Sequence, residues 1–146
     1  MNPKTIKEVA KWLAWILLVL GCNLFVVRLA IVYGPSMEPT LKQYDFLVVW
    51  QLGYTPETGD IVVTTKDNQL KQNIIKRVVA VGGETVSFER NGETVTVTVP
   101  AGQVFLQGDN LEHSTDSRDL GCFAMEDVCG KVVARIFPFA KVTVYE

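Results

Sequence analysis

Histidine is almost missing from this chain, and so is any repeated cysteine or histidine spacing. One histidine, His113, and three cysteines stand among 146 residues. With no paired histidine and no second CxxC, nothing completes four ligands, which speaks against a zinc centre. Basic residues are scarce past the first part of the chain. Residues 1–33 hold four basic residues and one acidic residue, leaving 10 basic and 15 acidic in 34–146, net −5. A domain of that sign without a basic stripe argues against nucleic acid as a partner. Internal repeats, low-complexity segments and, after residue 33, any long helical period are absent as well. What remains is the pattern of one compact domain with one appendage.

The appendage is apolar. Trp12 to Val27 reads WLAWILLVLGCNLFVV without a formal charge, and Leu29 to Tyr33 continues apolar after Arg28. Together they make about 20 residues, the length a bilayer core asks of a helix. Lys4, Lys7 and Lys11 precede the run, so the positive-inside rule predicts a cytoplasmic N-terminus (1–11), a transmembrane anchor over 12–32 and an extracytoplasmic domain over 33–146. Arg28 lies near enough to the exit for its guanidinium to reach the headgroups. The junction VVRLAIVYGPS lacks a small-x-small cleavage site, which favours a retained anchor over a cleaved leader.

Beyond residue 33 the chain breaks into short β-rich runs: DFLVVW (45–50), DIVVTT (60–65), NIIKRVVAV (73–81), ETVSFER (84–90), ETVTVTV (93–99), QVFLQ (103–107) and KVVARIF (131–137). Seven such runs predict a mainly β domain. Asn91-Gly92 predicts a tight hairpin between two of them. Cys22, inside the apolar run, reads as a small buried hydrophobe. Cys122 and Cys129 are open to a bridge or to two free thiols, because spacing alone does not bring their Cβ atoms together.

Three segments could carry chemistry. In YGPSMEPTL (33–41), Pro35 and Pro39 fix the backbone around Ser36 and Gly34 permits close approach, as a presented nucleophile requires, although serines in such turns are common. In NIIKRVVAV, Lys76 is either an edge-strand gatekeeper or a partly desolvated amine whose lowered pKa suits a general base. In GDNLEHSTDSRDLG (108–121), Ser114, Asp116 and Arg118 offer a hydroxyl, a carboxylate and a guanidinium at spacing two, so that an Asp116–Arg118 pair can brace the loop. His113 in the same loop makes a Ser36–His113–Asp116 triad formally available.

Taken in order, an N-terminal anchor, GPSMEPTL, GDIVV (59–63), IIKRVVAVGGE (74–84) and GDNLEHSTDSR (108–118) resemble the type I signal peptidases, membrane-anchored Ser/Lys proteases. The resemblance implies a β catalytic core that takes its substrate as an added extended strand. It implies Ser36 as nucleophile, uncharged Lys76 as general base, and Ser114, Asp116, Arg118 and Gly34 as supporting residues. Val32, Met37, Leu41 and Ile75 fall where the family's apolar pocket lies, a shallow pocket for a small P1 residue such as Ala in an Ala-x-Ala site. No cofactor is implied; the implied partners are preproteins bearing signal peptides, the lipid bilayer and, as a candidate, the secretion translocon, at the cell membrane. Gly34 departs from members with a hydroxyl residue that assists the oxyanion hole, and Leu111 departs from those with Arg after GDN. The short domain is similar to the small Gram-positive enzymes. GPSMEPT and the GDN-Leu loop are equally similar to mitochondrial inner membrane peptidases, which do the same chemistry in another compartment. The Lys-rich start, without an Arg/Ser-rich transit segment, leans toward a bacterium. A membrane-tethered β-domain that binds exported chains with an idle serine is the non-enzymatic alternative.

Overall fold

A computed structural model describes residues 3–138 and 142–145. The chain opens with helix α1 (Pro3–Phe25) and passes at once into strand β1 (Val27–Ile31). Strands β2 (Phe46–Trp50), β3 (Ile61–Thr64), β4 (Ile75–Val81), β5 (Thr85–Arg90), β6 (Glu93–Thr98) and β7 (Gln103–Gln107) follow. After β7 come a 3₁₀ turn (Leu111–His113), a one-turn helix α2 (Ser117–Leu120), β8 (Phe123–Ala124), a long β9 (Val128–Phe137) and a short β10 (Thr143–Val144). All seven β-rich runs read from the sequence are strands, so the domain is mainly β.

The apolar stretch expected to form one helix over 12–32 is divided. Its helix ends at Phe25, and Val27–Ile31 pairs antiparallel with β2, from Val27 opposite Trp50 to Ile31 opposite Phe46. Hydropathy alone does not distinguish these uses, because an apolar run rich in β-branched residues serves a strand as well as a helix. No helix among the described residues is long and apolar enough to cross a membrane. The side chain of Cys22 lies outside the described residues.

Strand order in the main sheet is β1-β2-β9-β3-β4-β7-β8, with β10 added to β9 and every pairing antiparallel. β9 is long enough to serve β2 along one side and β3 along the other, with register shifts on both sides. Such irregularities bend a strand and increase its twist. β5 and β6 form a separate hairpin, closed at Asn91 (φ 54°) and Gly92 (φ 82°) as the Asn-Gly pair predicts.

Alternation fixes what each strand buries. On β4, Lys76, Val78 and Ala80 are buried while Ile75, Arg77, Val79 and Val81 are partly exposed. One core cluster joins Val32, Met37 and Leu41 to Leu47, Val49, Ile61, Val63 and Val132, so the turn bearing Ser36 is bolted to the sheet through its own apolar residues. At about 1.5–3 kcal/mol for each large side chain removed from water, Met37 and Leu41 are substantial anchors for that turn. A second cluster holds Val62, Val78, Val104, Leu106 and Phe123. A third docks the hairpin, with the rings of Phe88 and Phe105 5.4 Å apart.

Candidate active site

Ser36 sits half-buried at the start of a tight turn between β1 and β2. Gly34 takes φ +84°, a conformation most side chains avoid, which lets the chain fold back directly after β1. Leu41 N–H donates to Met37 O at 2.9 Å and Glu38 N–H to Pro35 O at 3.0 Å, closing the turn on itself. From outside, Asn110 grips it twice: its backbone N–H donates to Ser36 O at 3.0 Å and its Nδ2 to Pro35 O at 3.2 Å. Arg135 Nη1 donates to Thr40 O at 3.2 Å and pairs with Asp45 at the same distance.

Lys76 stands on β4, between β3 and β7. An interior strand has no open edge to guard, so the gatekeeper reading falls away. The side chain is only 4% exposed and shares its face with Val78 and Ala80. Burial pushes its pKa down from the ordinary lysine range; the Asp116 carboxylate opposes that shift, and the Arg118 guanidinium adds to it.

The 108–121 loop places a buried carboxylate behind these residues. Asp116 is fully buried. Arg118 Nε donates to its Oδ1 at 2.9 Å and Arg118 Nη2 to its Oδ2 at 3.0 Å. Gly108 N–H and the Ser114 hydroxyl donate to Oδ2 at 2.9 and 2.6 Å. Burial alone would raise the carboxyl, but these donors outweigh it and hold Asp116 below the usual carboxylate range. With its O–H directed at Asp116, the Ser114 oxygen keeps its lone pairs for a donor from another direction. Gly108 packs against both halves of the site: a Cβ built there would lie 2.3 Å from Ser114 Oγ and 2.5 Å from Ser36 O.

Ser36 and Lys76 line the same cleft of about 670 Å³. Arg28 to Gly34, from β1 and the residues after it, line it together with Leu70 and Gln72 to Ile75, from the end of the β3–β4 connection and the start of β4. Of the residues expected to line an apolar pocket, Val32, Met37 and Ile75 do line this cleft. Leu41 lies fully buried in the core beneath the turn, outside the cleft wall. β1 pairs with β2 on one side and stands at the end of the sheet, an open edge along the cleft.

A model of the family "Signal peptidase, peptidase S26" matches residues 6–98 and 90–137, nearly the whole chain. The chain belongs to the S26 signal peptidase family. It is 34% identical over 119 residues to mitochondrial inner membrane protease subunit 1 of Schizosaccharomyces pombe, covering 78% of this chain and 76% of the relative. It is 38% identical over 119 residues to mitochondrial ATP-independent inner membrane protease subunit 1b of Arabidopsis thaliana (76% and 70% covered). A probable signal peptidase I-1 of Synechocystis is 32% identical over 155 aligned residues (86% and 79% covered). The family match makes the chain a peptidase.

His113 stands on the exposed 3₁₀ turn with Nδ1 3.3 Å from Asn110 Oδ1, away from the cleft wall. Asp116 has both oxygens engaged elsewhere, so a Ser36–His113–Asp116 triad is not assembled. Cys122 and Cys129 are free thiols, and burial pushes both pKa values up, which makes them poor nucleophiles. Asp60 of GDIVV sits in a structural cluster, bonded to Lys131 Nζ at 2.8 Å and Tyr54 Oη at 2.6 Å. Sequence reasoning missed Asn110, Gly108 and the Arg77–Asp109 pair, whose two bonds of 2.8 and 2.7 Å join β4 to the GDN segment. GDN was visible as a motif; that its backbone and amide would hold the Ser36 turn was not.

Proposed function

We propose that the chain is a membrane-held serine endopeptidase that removes N-terminal signal peptides from exported preproteins, cleaving after a small residue by a Ser36/Lys76 dyad. The observation that carries this reading is a lysine buried on an interior strand, with its charged form disfavoured, lining one cleft with the serine of a rigid turn. An uncharged Lys76 Nζ takes the proton of Ser36 Oγ as the oxygen bonds to the scissile carbonyl carbon. The same proton passes to the leaving amine as the C–N bond breaks, leaving an acyl ester on Ser36. Water, deprotonated by Lys76, then attacks the ester and restores the serine. Ser114, fixed by Asp116 and Arg118, orients the amine, and by resemblance the Ser36 backbone N–H stabilises the oxyanion. A substrate lying extended beside the open edge of β1 presents alternate side chains to Val32, Met37 and Ile75, which leave room for small ones.

Membrane attachment rests on α1. Trp12, Trp15, Leu17 and Leu18 are more than half exposed and, with their neighbours, surround the helix, a pattern that suits lipid rather than water. A bilayer anchor there holds the cleft near the emerging end of another chain's signal peptide, raising its effective concentration. The names of the relatives and Leu111 favour a second setting, a mitochondrial inner membrane, for the same chemistry.

The test is cleavage of a purified preprotein with an Ala-x-Ala site by the detergent-solubilised chain, with the new N-terminus read by mass spectrometry. Cleavage after the small residue should vanish in folded Ser36→Ala and Lys76→Ala proteins. Processing retained by a folded Lys76→Ala protein refutes the dyad, and a folded wild type that cuts no preprotein in the presence of lipid supports a binding domain instead.

A further inference from the structure

We propose that Asn68 is a positioning residue that sets the enzyme's preference for substrate residues well upstream of the scissile bond; this rests on the Ser36/Lys76 reading. The cleft lining that precedes β4 is not regular strand. It is the end of the connection between β3 and β4, which brings Leu70, Gln72, Asn73 and Ile74 to the cleft.

That connection has one polar side chain at its centre. Asn68 is 1% exposed, and its carboxamide is the hub of the loop. Nδ2 donates to Thr64 Oγ1 at 2.8 Å and to Gln72 O at 2.6 Å, and Thr65 O is a further acceptor beside it. Oδ1 accepts from Leu70 N–H at 2.8 Å, and the backbone carbonyl of Asn68 accepts from Lys71 N–H at 3.0 Å. The start of the connection and the residues that reach the cleft are thereby tied through one amide. Aspartate is a poor substitute, because one of its oxygens would face the carbonyl oxygens of Thr65 and Gln72 with no proton to share, leaving only the Thr64 hydroxyl to donate.

Geometry assigns what this wall meets. Gln72 lies four residues before Lys76, so it stands at most about 13 Å back along the cleft. Four successive antiparallel pairings make β1 and β4 parallel, so Gln72 lies toward the end of β1 that follows α1, the side from which a membrane-held upstream segment enters. An extended substrate covers that span with roughly four residues, beyond the pocket for the small residue at the cut. Two aliphatic and two carboxamide side chains suit an extended, neutral stretch of peptide, with the carboxamides bonding to its backbone groups.

The experiment compares two peptides with one Ala-x-Ala site, one with eight residues before the cut and one with three, using the full chain in detergent. Asn68→Ala should lower kcat/KM for the long peptide by about tenfold, through KM, and leave kcat and the short peptide unchanged. Leu70→Ala and Gln72→Ala, which leave the loop's hub intact, should lower the long-peptide value in the same direction by less. These two variants decide the matter if Asn68→Ala fails to fold. Equal loss for both peptides, a fall in kcat alone, or no loss in the Leu70 and Gln72 variants overturns the proposal. A wild type that cleaves neither peptide overturns the Ser36/Lys76 reading, and this one with it.

Discussion

Adding a single methyl group at Gly108 should silence the site while leaving the fold standing. The backbone at Gly108 does not require glycine for its φ, so alanine acts there only through its Cβ. That carbon would lie 2.5 Å from Ser36 O and 2.3 Å from Ser114 Oγ. Non-bonded atoms settle at about 3.5 Å or beyond, so relief requires a separation of about 1 Å between Gly108 and the Ser36 turn. The Ser36 carbonyl is backbone already held by Asn110 N–H, and Ser114 Oγ is held at 2.6 Å by Asp116, so neither yields without carrying the nucleophile or the amine's support with it. Misplacement by about 1 Å lowers a rate roughly 10²-fold, whereas overpacking costs about 1–3 kcal/mol of stability. Gly82 supplies the control: a Cβ there meets Pro100 O at 3.0 Å and Ala101 Cα at 3.1 Å, in a turn outside the cleft wall. Preprotein cleavage and thermal melts on both variants form the assay. Gly108→Ala should lose about 10²-fold in kcat/KM while Gly82→Ala loses stability only. A Gly108→Ala protein with near wild-type cleavage would refute the idea that these contacts fix the catalytic geometry.

Arg118→Gln removes a cation that disfavours the charged amine and leaves Asp116 uncompensated, so both changes move the Lys76 pKa up; the acid limb of kcat/KM against pH should shift to higher pH, with about tenfold less activity near neutrality. An unmoved limb in a folded variant contradicts this. Lys76→Met should stabilise the protein below the ordinary lysine pKa: the unfolded chain binds the extra proton there more readily than the folded one, so wild-type stability rises as pH climbs through that range and the variant's does not. Denaturant melts across pH test the slope. Lys131→Ala should destabilise by about 2–3 kcal/mol at neutral pH, leaving the Asp60 carboxylate buried with fewer partners, and spare the turnover of folded enzyme. The burial of Asp60 would raise its carboxyl, but Lys131, Tyr54 and Glu57 N–H hold it below the usual range, so the difference should fade on acidification through that folded pKa. Reducing agents should change neither stability nor activity, since Cys122 and Cys129 are free; a melt shifted by dithiothreitol would show a bridge.

Strands were the most legible part of the fold because their signal is local. The Asn91-Gly92 turn and the alternation of ETVSFER and ETVTVTV define a hairpin without reference to anything distant. β1 was illegible for the opposite reason: its residues are apolar, follow an apolar helix, and become a strand only because β2 offers an edge 15 residues or more along the chain. The roles of Lys76 divided along the same line. Its aliphatic neighbours could be read from the sequence, but whether it guards an edge or lies in an interior depends on strand order, which places β7 on its far side. Leu41 is fully buried and is not among the cleft-lining residues, a depth set by how the turn packs on the core and not by its spacing from Ser36. Asn110, Gly108 and Asn68 are invisible as hubs in sequence because each works through backbone groups of residues far from it or around a loop.

In the proposed dyad the two reacting groups are supported in different ways, and each support suits the chemistry assigned to it. A general base must stay uncharged near neutrality, which demands burial, so Lys76 belongs on an interior strand where water is excluded and Val78 and Ala80 share its face. A nucleophile must be reachable, so Ser36 belongs on a loop, and a loop has entropy that regular pairing does not remove. Here that freedom is removed from three sides: by Met37 and Leu41 in the core beneath, by the Arg135 contact at Thr40, and by Asn110 from the 108–121 loop. Asn110 follows Asp109, which is bound to Arg77, and Arg77 is the residue after Lys76. The strand that carries the base therefore also anchors the segment that clamps the serine, so a shift of β4 moves both groups together and preserves their relation.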